Sequence, residues 1–317
     1  MLVPIIFIYS LITMSKCDLT DYFPDIDGNL TKITWAHAVN NISLLETALA
    51  GKVMMLEADI SLGTVGNNST VIPIMAHPPA NKSDLSLQDF FVRLSNFNAN
   101  KTKSGEKKGA KLDFKTIEAF EKSTEILKNI TQSADYPIWL NADIVSGPVN
   151  ASTKPVDANK FLKMCQEFPK NALSIGWTTA YNSSFANHSH SYTDEQIEDM
   201  LKHIKDNGMT GREITFPVRA GLAAESLPQM QKLIETVKKS TLTIWSSAGD
   251  PVNVNDLNTL ILKIGVDKVY IDVPEELEKK LNLGSSSNRA AHISVFSVVL
   301  STMAAFSDDT AHIGRLI

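Results

Sequence analysis

Eight short runs of apolar and β-branched residues recur along the chain, separated by stretches whose apolar positions repeat every three to four residues. The runs are "KITWAH" (32–37), "VMMLEADI" (53–60), "AKLDF" (110–114), "PIWLNADI" (137–144), "LSIGWTT" (173–179), "EITFPVRA" (213–220), "TLTIWSS" (241–247) and "VDKVYID" (266–272). Runs of this length and make-up predict strands. Between them "TIEAFEKSTEILKNI", "TDEQIEDMLKHIKDNG", "LPQMQKLIETVKKS" and "VNDLNTLILKIG" carry the helical period, and several stop at glycine, as a helix C-terminus commonly does. One extra run, "VIPIMAH" (71–77), follows the second strand through the Gly/Asn-rich turn "GTVGNNST" and reads as the return arm of a hairpin. Strict β-α alternation predicts an α/β fold of parallel strands joined by right-handed crossovers. Eight units in about 250 residues match a TIM-type (β/α)8 barrel with an extra β-hairpin after the second strand, although an open doubly wound sheet fits the same alternation.

The two ends break this pattern. Residues 1–17, "MLVPIIFIYSLITMSKC", are apolar from Leu2 to Met14, too short to span a bilayer, and place Ser15 and Cys17 at the −3 and −1 positions of a signal-peptidase site. A secretory signal is expected there, followed by a barrel domain over 18–283. Residues 284–317 hold a weakly apolar run, Ala290 to Phe306, broken by His and Ser. A lipid-anchor signal would need that run at the very end, and a membrane span would need more length, so a flexible tail or a packed terminal helix is expected rather than an anchor.

Composition adds three constraints. With 43% hydrophobic residues, 21% charged residues and net charge −5, the chain can bury a sizeable core and offers no basic, aromatic-laced stripe for nucleic acid. The basic run "KTKSGEKKGAK" is Gly/Ser-punctuated and reads as a solvated loop. Glycosylation sequons are dense, at Asn29, Asn67, Asn68, Asn81, Asn100, Asn150, Asn182 and Asn187, which agrees with passage through the ER to the extracellular space. Two further sequons, at Asn41 and Asn129, are expected to stay unmodified. Of two cysteines, cleavage after Cys17 leaves Cys165 alone, a buried thiol in a helical pattern.

The candidate chemistry lies at the strand ends. His37 and Asn40 close the first strand, with Asn40 or Asn41 placed to cap the next helix; Glu57 and Asp59 stand two apart on the second. His77 follows the extra run, Asp113 and Lys115 end the third, and Asn141 and Asp143 end the fourth. Trp177, Arg219 and Trp245 end the fifth, sixth and seventh. In a barrel these positions share one mouth. Singly, each reads as a solvated strand end, a local ion pair or a turn. Together, three carboxylates in one place require a cation, and all-oxygen ligands suit Mg²⁺, or Ca²⁺, better than zinc. Glu57, Asp59 and Asp113 are therefore the candidate metal ligands. His37 and His77 are candidate general base and acid, or one of them a nucleophile, and Lys115 a contact for an anionic oxygen. The remaining strand-end residues are expected to line the pocket. His188 and His190 are expected in an exposed loop, and His203 on a helix surface.

"HAVN", "LEADI" twenty residues on, "KLDFK" and the closing segment "TIWSSAGDPVNVNDLNTLILKIGVDKVYIDVP" resemble the glycerophosphodiesterase-type barrel superfamily, most nearly its sphingomyelinase-D-like venom phospholipases. "WAHAVNN", "MLEADI", "PIMAHPP", "KLDFK", "WLNADIVSGP", "SIGWTT" and "TFPVRA" together resemble the menorin family of extracellular proteins. The superfamily resemblance implies a metal on Glu57, Asp59 and Asp113, a catalytic pair in His37 and His77, phosphate contact by Lys115, and a phosphodiester or phospholipid-derived small molecule as substrate. Two departures stand out. Ala38 and Val39 replace the Arg-Gly that often follows the first histidine, and Pro78 follows the second. Some menorins act in cell-surface complexes that pattern neuronal dendrites, so the alternative is a catalytically silent recognition protein whose partners are extracellular cell-surface proteins.

Overall fold

The computed structural model describes residues 19–149, 151–185 and 190–283. The expected signal (1–17) and tail (284–317) lie outside the described residues, as do Asn150, Asn187 and His188. Ten strands form one sheet system: β1 (Trp35–Ala36), β2 (Met55–Val65), β3 (Ile72–Met75), β4 (Lys82–Ser83), β5 (Gly109–Phe114), β6 (Ile138–Ser146), β7 (Ala172–Thr178), β8 (Ile214–Arg219), β9 (Ser240–Trp245) and β10 (Val269–Asp272). Among the described residues the helices are α1 (Ile42–Ala50), α2 (Leu87–Ala99), α3 (Ile117–Ser133), α4 (Ala158–Cys165), α5 (Asp194–Asp206), α6 (Ala220–Ala224), α7 (Leu227–Thr236), α8 (Val254–Ile264) and α9 (Glu275–Glu278). None of them is long and apolar enough to cross a membrane.

The order β1-β2-β5-β6-β7-β8-β9-β10 is parallel throughout, which makes an α/β, TIM-like barrel that is nearly closed. All eight expected strands occur. Helices begin where a capping side chain follows a strand: Asn41 accepts from Leu44 N, Thr116 from Ala119 N, and Thr193 forms a capping box with Gln196. β2 continues to Val65, well past Asp59. Its outer half pairs antiparallel with β3 (Ile60↔Met75) and parallel with β4 (Thr64↔Lys82), which makes a three-stranded ribbon beside the mouth. Gly63 permits this, because a Cβ there would collide with the Asn81 carbonyl and the Ile74 side chain.

No main-chain ladder joins β1 to β10 among the described residues, so side chains close the barrel. Trp35 meets Tyr270 edge to face at 6.2 Å, and Trp139 meets both, at 5.6 and 5.1 Å. The segment from Leu19 to Ile33 packs under this triad: Leu19, Phe23, Ile26, Leu30 and Ile33 are buried against Met55, Trp139, Ala172 and Tyr270. Leu30 N donates to Val266 O at 2.8 Å and ties this plug to the chain entering β10. This segment covers the amino-terminal end of the barrel. Phe23 is 1% exposed, so Phe23→Ala should lower the unfolding free energy by about 3–5 kcal/mol. Urea denaturation checks this; a loss below about 1 kcal/mol would mean that the plug is not part of the core.

Candidate active site

Alternation along paired strands brings the polar residues together. Glu57 lies beside Lys111, Asp59 beside Asp113, Asp113 beside Asn141, and Asn141 beside Ser174. Glu57, Asp59 and Asp113 each offer an oxygen, all within 4.8 Å of one another. Glu57 and Asp59 are buried and Asp113 is half-buried.

The turn after β1 wraps this cluster. Ala38 takes a left-handed conformation (φ 52°), strained by about 1–2 kcal/mol for an L-residue. Its N–H donates to Glu57 Oε2 at 2.8 Å, and Val39 N–H donates to Glu57 O at 2.9 Å. Asn40 clasps Asp59 twice, Nδ2 donating to Oδ2 at 2.6 Å and Oδ1 accepting from Asp59 N at 2.9 Å. The helix cap falls to Asn41, so Asn40 is left for the site.

His37 Nδ1 sits 3.2 Å from Asp272 Oδ2 and 3.4 Å from Glu57 Oε2. An ionised carboxylate only accepts, so Nδ1 carries a proton. Burial opposes a charge on this ring, but the charges of Glu57 and Asp272 and the Asp272 hydrogen bond outweigh it and raise His37 to about 10. Asp272 is correspondingly held low by His37 against the effect of its burial. His77 is exposed; its Nδ1 lies 2.7 Å from Pro78 O, which likewise places a proton on Nδ1, and its charge is felt at Asp59.

Lys115 Nζ bridges Asp59 Oδ1 (2.7 Å) and Asp113 Oδ2 (2.5 Å). Burial alone would raise Asp59, but the Lys115 charge and the hydrogen bonds from Lys115 and Asn40 hold it low. Asn141 Nδ2 donates to Asp113 Oδ1 at 2.6 Å and is braced by Ser174, whose hydroxyl donates to Asn141 Oδ1 at 2.5 Å. Asp143, two residues beyond Asn141 and in register with Gly176, reaches the same end just before the β6–β7 register shifts, and Gly176 makes room for it, since a Cβ there would sit 2.7 Å from Asp143 Oδ1.

Other expected residues stand apart from the cluster. Trp177 is 2% exposed and does not line the pocket: its indole N–H donates to Gln196 O on α5 at 3.2 Å, and its ring meets Tyr192. Ser174 and Gly176 take the lumen positions of β7, so Trp177 faces the helices. Arg219 closes a buried bidentate pair with Asp250 at 2.8 and 2.9 Å and lies between the Tyr181 and Trp245 rings. It braces the rim and has no guanidinium to spare for an anion. Trp245 is half-buried beside it. His190 is part-buried against Phe185 and Tyr181 instead of lying in an exposed loop, and His203 pairs with Asp199 at 3.7 Å. Cys165 is fully buried and its thiol is pushed up by burial, which leaves it inert.

Sequence reasoning passed over Asp272, Lys111 and Asp250. Lys111 is buried two residues before Asp113, and its charge reaches Glu57, Asp143 and Asp272. The period-two spacing 111–113–115 was a usable signal for it, and Asp272 ends the eighth strand as the other carboxylates end theirs.

A parallel α/β barrel with a carboxylate, histidine and lysine cluster at its strand carboxyl ends is the class of protein that this geometry defines. The Menorin N-terminal domain family model matches residues 29–278, so the chain belongs to the menorin family. Protein FAM151B of Homo sapiens is 35% identical over 263 residues, covering 81% of this chain and 88% of that protein. Among solved structures, the crystal structure of wild-type Plasmodium falciparum HPPK-DHPS with pterin and p-hydroxybenzoate aligns at TM-score 0.41 and 13% identity, over 82% of this chain and 50% of its own. The chain thus spans half of that protein's length.

Asp143 yields a test of the cluster's charge balance. Burial and the Asp113 charge raise its carboxyl from 3.8 to about 7. Between those values the folded chain holds a proton that the unfolded chain has released, so this group costs stability as pH rises. Asp143→Asn should therefore raise Tm at pH 8, by roughly 2–4 °C per kcal/mol relieved, and leave it nearly unchanged at pH 4. Calorimetry in EDTA reads the difference; an equal effect at both pH values would contradict it.

Proposed function

We propose that this menorin-family chain is a secreted, Mg²⁺-dependent phosphodiester-cleaving enzyme of the glycerophosphodiesterase-type superfamily. The observation that carries the reading is the Glu57, Asp59 and Asp113 cluster, whose oxygens converge within 4.8 Å beside a histidine pinned by a further carboxylate. The donor set fits the ion. It is all hard oxygen, and once Asp143 and Glu57, both raised by burial, are ionised, which for Asp143 means above about pH 7, the five carboxylates exceed Lys111, Lys115 and a protonated His37 by two charges. Glu57, Asp59 and Asp113 would hold Mg²⁺, with Ca²⁺ as the substitute, and the ion would supply charge stabilisation at a phosphoryl oxygen.

The chain's own groups do the rest. Lys115 offers its ammonium to an anionic oxygen of the diester. With Nδ1 held by Asp272, Nε2 is the His37 nitrogen that would exchange a proton. In the charged ring that Glu57 and Asp272 favour it is an acid, and it would serve as base or nucleophile only after giving up that proton, a loss that a divalent ion on Glu57 would ease by competing for its charge. His77 holds its ring by the same logic and protonates the leaving oxygen. One observation favours the alternative, a catalytically silent recognition protein for extracellular surface partners: Lys115 already occupies one oxygen of each of two of the three acidic ligands.

Purified chain supplied with Mg²⁺ should turn over a member of a glycerophosphodiester and lysophospholipid panel, and EDTA should abolish it. His37→Ala should lower the rate about 10²–10⁴-fold; turnover that survives this change overturns the reading, and absence of turnover with metal binding intact favours the silent alternative. Secretion rests on the sequons, of which Asn67, Asn68, Asn81, Asn100 and Asn182 are exposed and Asn29 half-buried. Chain secreted by animal cells should therefore shift to lower mass on enzymatic removal of N-glycans. An intracellular, unshifted product would refute secretion.

A further inference from the structure

Asp59 and Asp113 have each oxygen engaged, and the partners differ in kind. One oxygen of each accepts from an amide: Asn40 Nδ2 on Asp59 Oδ2 and Asn141 Nδ2 on Asp113 Oδ1, both at 2.6 Å. Both amides are locked from behind, Asn40 by the Asp59 N–H and Asn141 by the Ser174 hydroxyl. The other oxygen of each is held by the single ammonium of Lys115, at 2.7 and 2.5 Å, on a flexible four-carbon stem whose side chain is 20% exposed. Of all these partners only Lys115 can leave without dismantling a second hydrogen bond inside the barrel.

We infer that Lys115 is a built-in surrogate cation, which bridges the two aspartates when no metal is bound and is displaced by an entering divalent ion. The inference rests on the metal reading above. It gives the two aspartates a positive charge during folding, before any ion binds. It also makes metal and anion binding cooperative. The ammonium released by the ion loses two carboxylates and gains an anionic substrate oxygen at the open rim, and by linkage each ligand then favours the other.

Mn²⁺ titration of the full secreted chain, by calorimetry or electron paramagnetic resonance, tests this without any substrate. Lys115→Met should bind Mn²⁺ at least tenfold tighter than wild type, because the competitor is gone. In EDTA it should melt below wild type, and Mn²⁺ should raise its Tm by more than it raises that of wild type. Recovery of folded Lys115→Met only when Mn²⁺ is present counts as the same result. Lys115→Arg, which keeps the charge, should bind no tighter than wild type. If wild type binds Mn²⁺ and Lys115→Met binds it no tighter, or fails to fold with or without the ion, this inference alone is overturned. If wild type and the Met variant both fold and both ignore Mn²⁺, the metal reading falls with it.

Discussion

Five carboxylates converge on one end of a barrel whose other end is packed with aromatic rings, and compensating that charge constrains everything nearby. Each acid is met from a different direction: Lys111 from below, Lys115 from the rim side, His37 from β1, and the amides of Asn40 and Asn141 from the flanks. Neutral donors satisfy lone pairs without adding charge, and no Asp59 or Asp113 oxygen goes unpaired. Ala38 shows how far the backbone bends to this end. A non-glycine residue is held at positive φ with its N–H delivered to Glu57.

The same interactions complete the fold. A parallel barrel ordinarily closes through backbone hydrogen bonds, yet β1 is two residues long and has no ladder to β10. At the floor the Trp35–Tyr270 contact spans that gap, and at the mouth the His37–Asp272 bond does. The residue that would move protons is therefore also a latch on the barrel. Substitutions at this pair will mix chemistry with closure, and a stability measurement has to accompany any rate.

The strands were legible because parallel strands buried on both faces read as continuous apolar runs, and the polar exceptions in them mark the lumen face at its open end. What stayed hidden has physical reasons. Trp177 stands one position out of phase with Ser174 and Gly176, and a one-residue slip turns a side chain from lumen to helix layer. Asp272 closes a run read only as a strand end, and its partner His37 lies 235 residues away in sequence, which no local pattern reveals. Asp250 was unreadable for the same reason: its tie to Arg219 is tertiary. The length of β2 was missed because the ribbon beyond Asp59 depends on Gly63 admitting β4, a packing fact with little signature in hydropathy.

The cation inventory bears on what this mouth can accept. The residue after His37 is Ala38, so no arginine projects from that turn, and both N–H groups of Ala38 and Val39 are spent on Glu57. Arg219 is consumed by Asp250, and Lys111 is buried below the acids. Lys115 is thus the one lysine or arginine of this group within reach of an incoming anion, and it is shared with two aspartates. By the same count of five ionised carboxylates against Lys111, Lys115 and a charged His37, a bound divalent ion brings the cluster to about neutral, and a dianionic phosphomonoester would then leave it two negative charges in excess. A phosphodiester would leave one. On charge alone, the proposed site suits a diester better than the monoester its cleavage would release, and that difference would drive product out of the mouth.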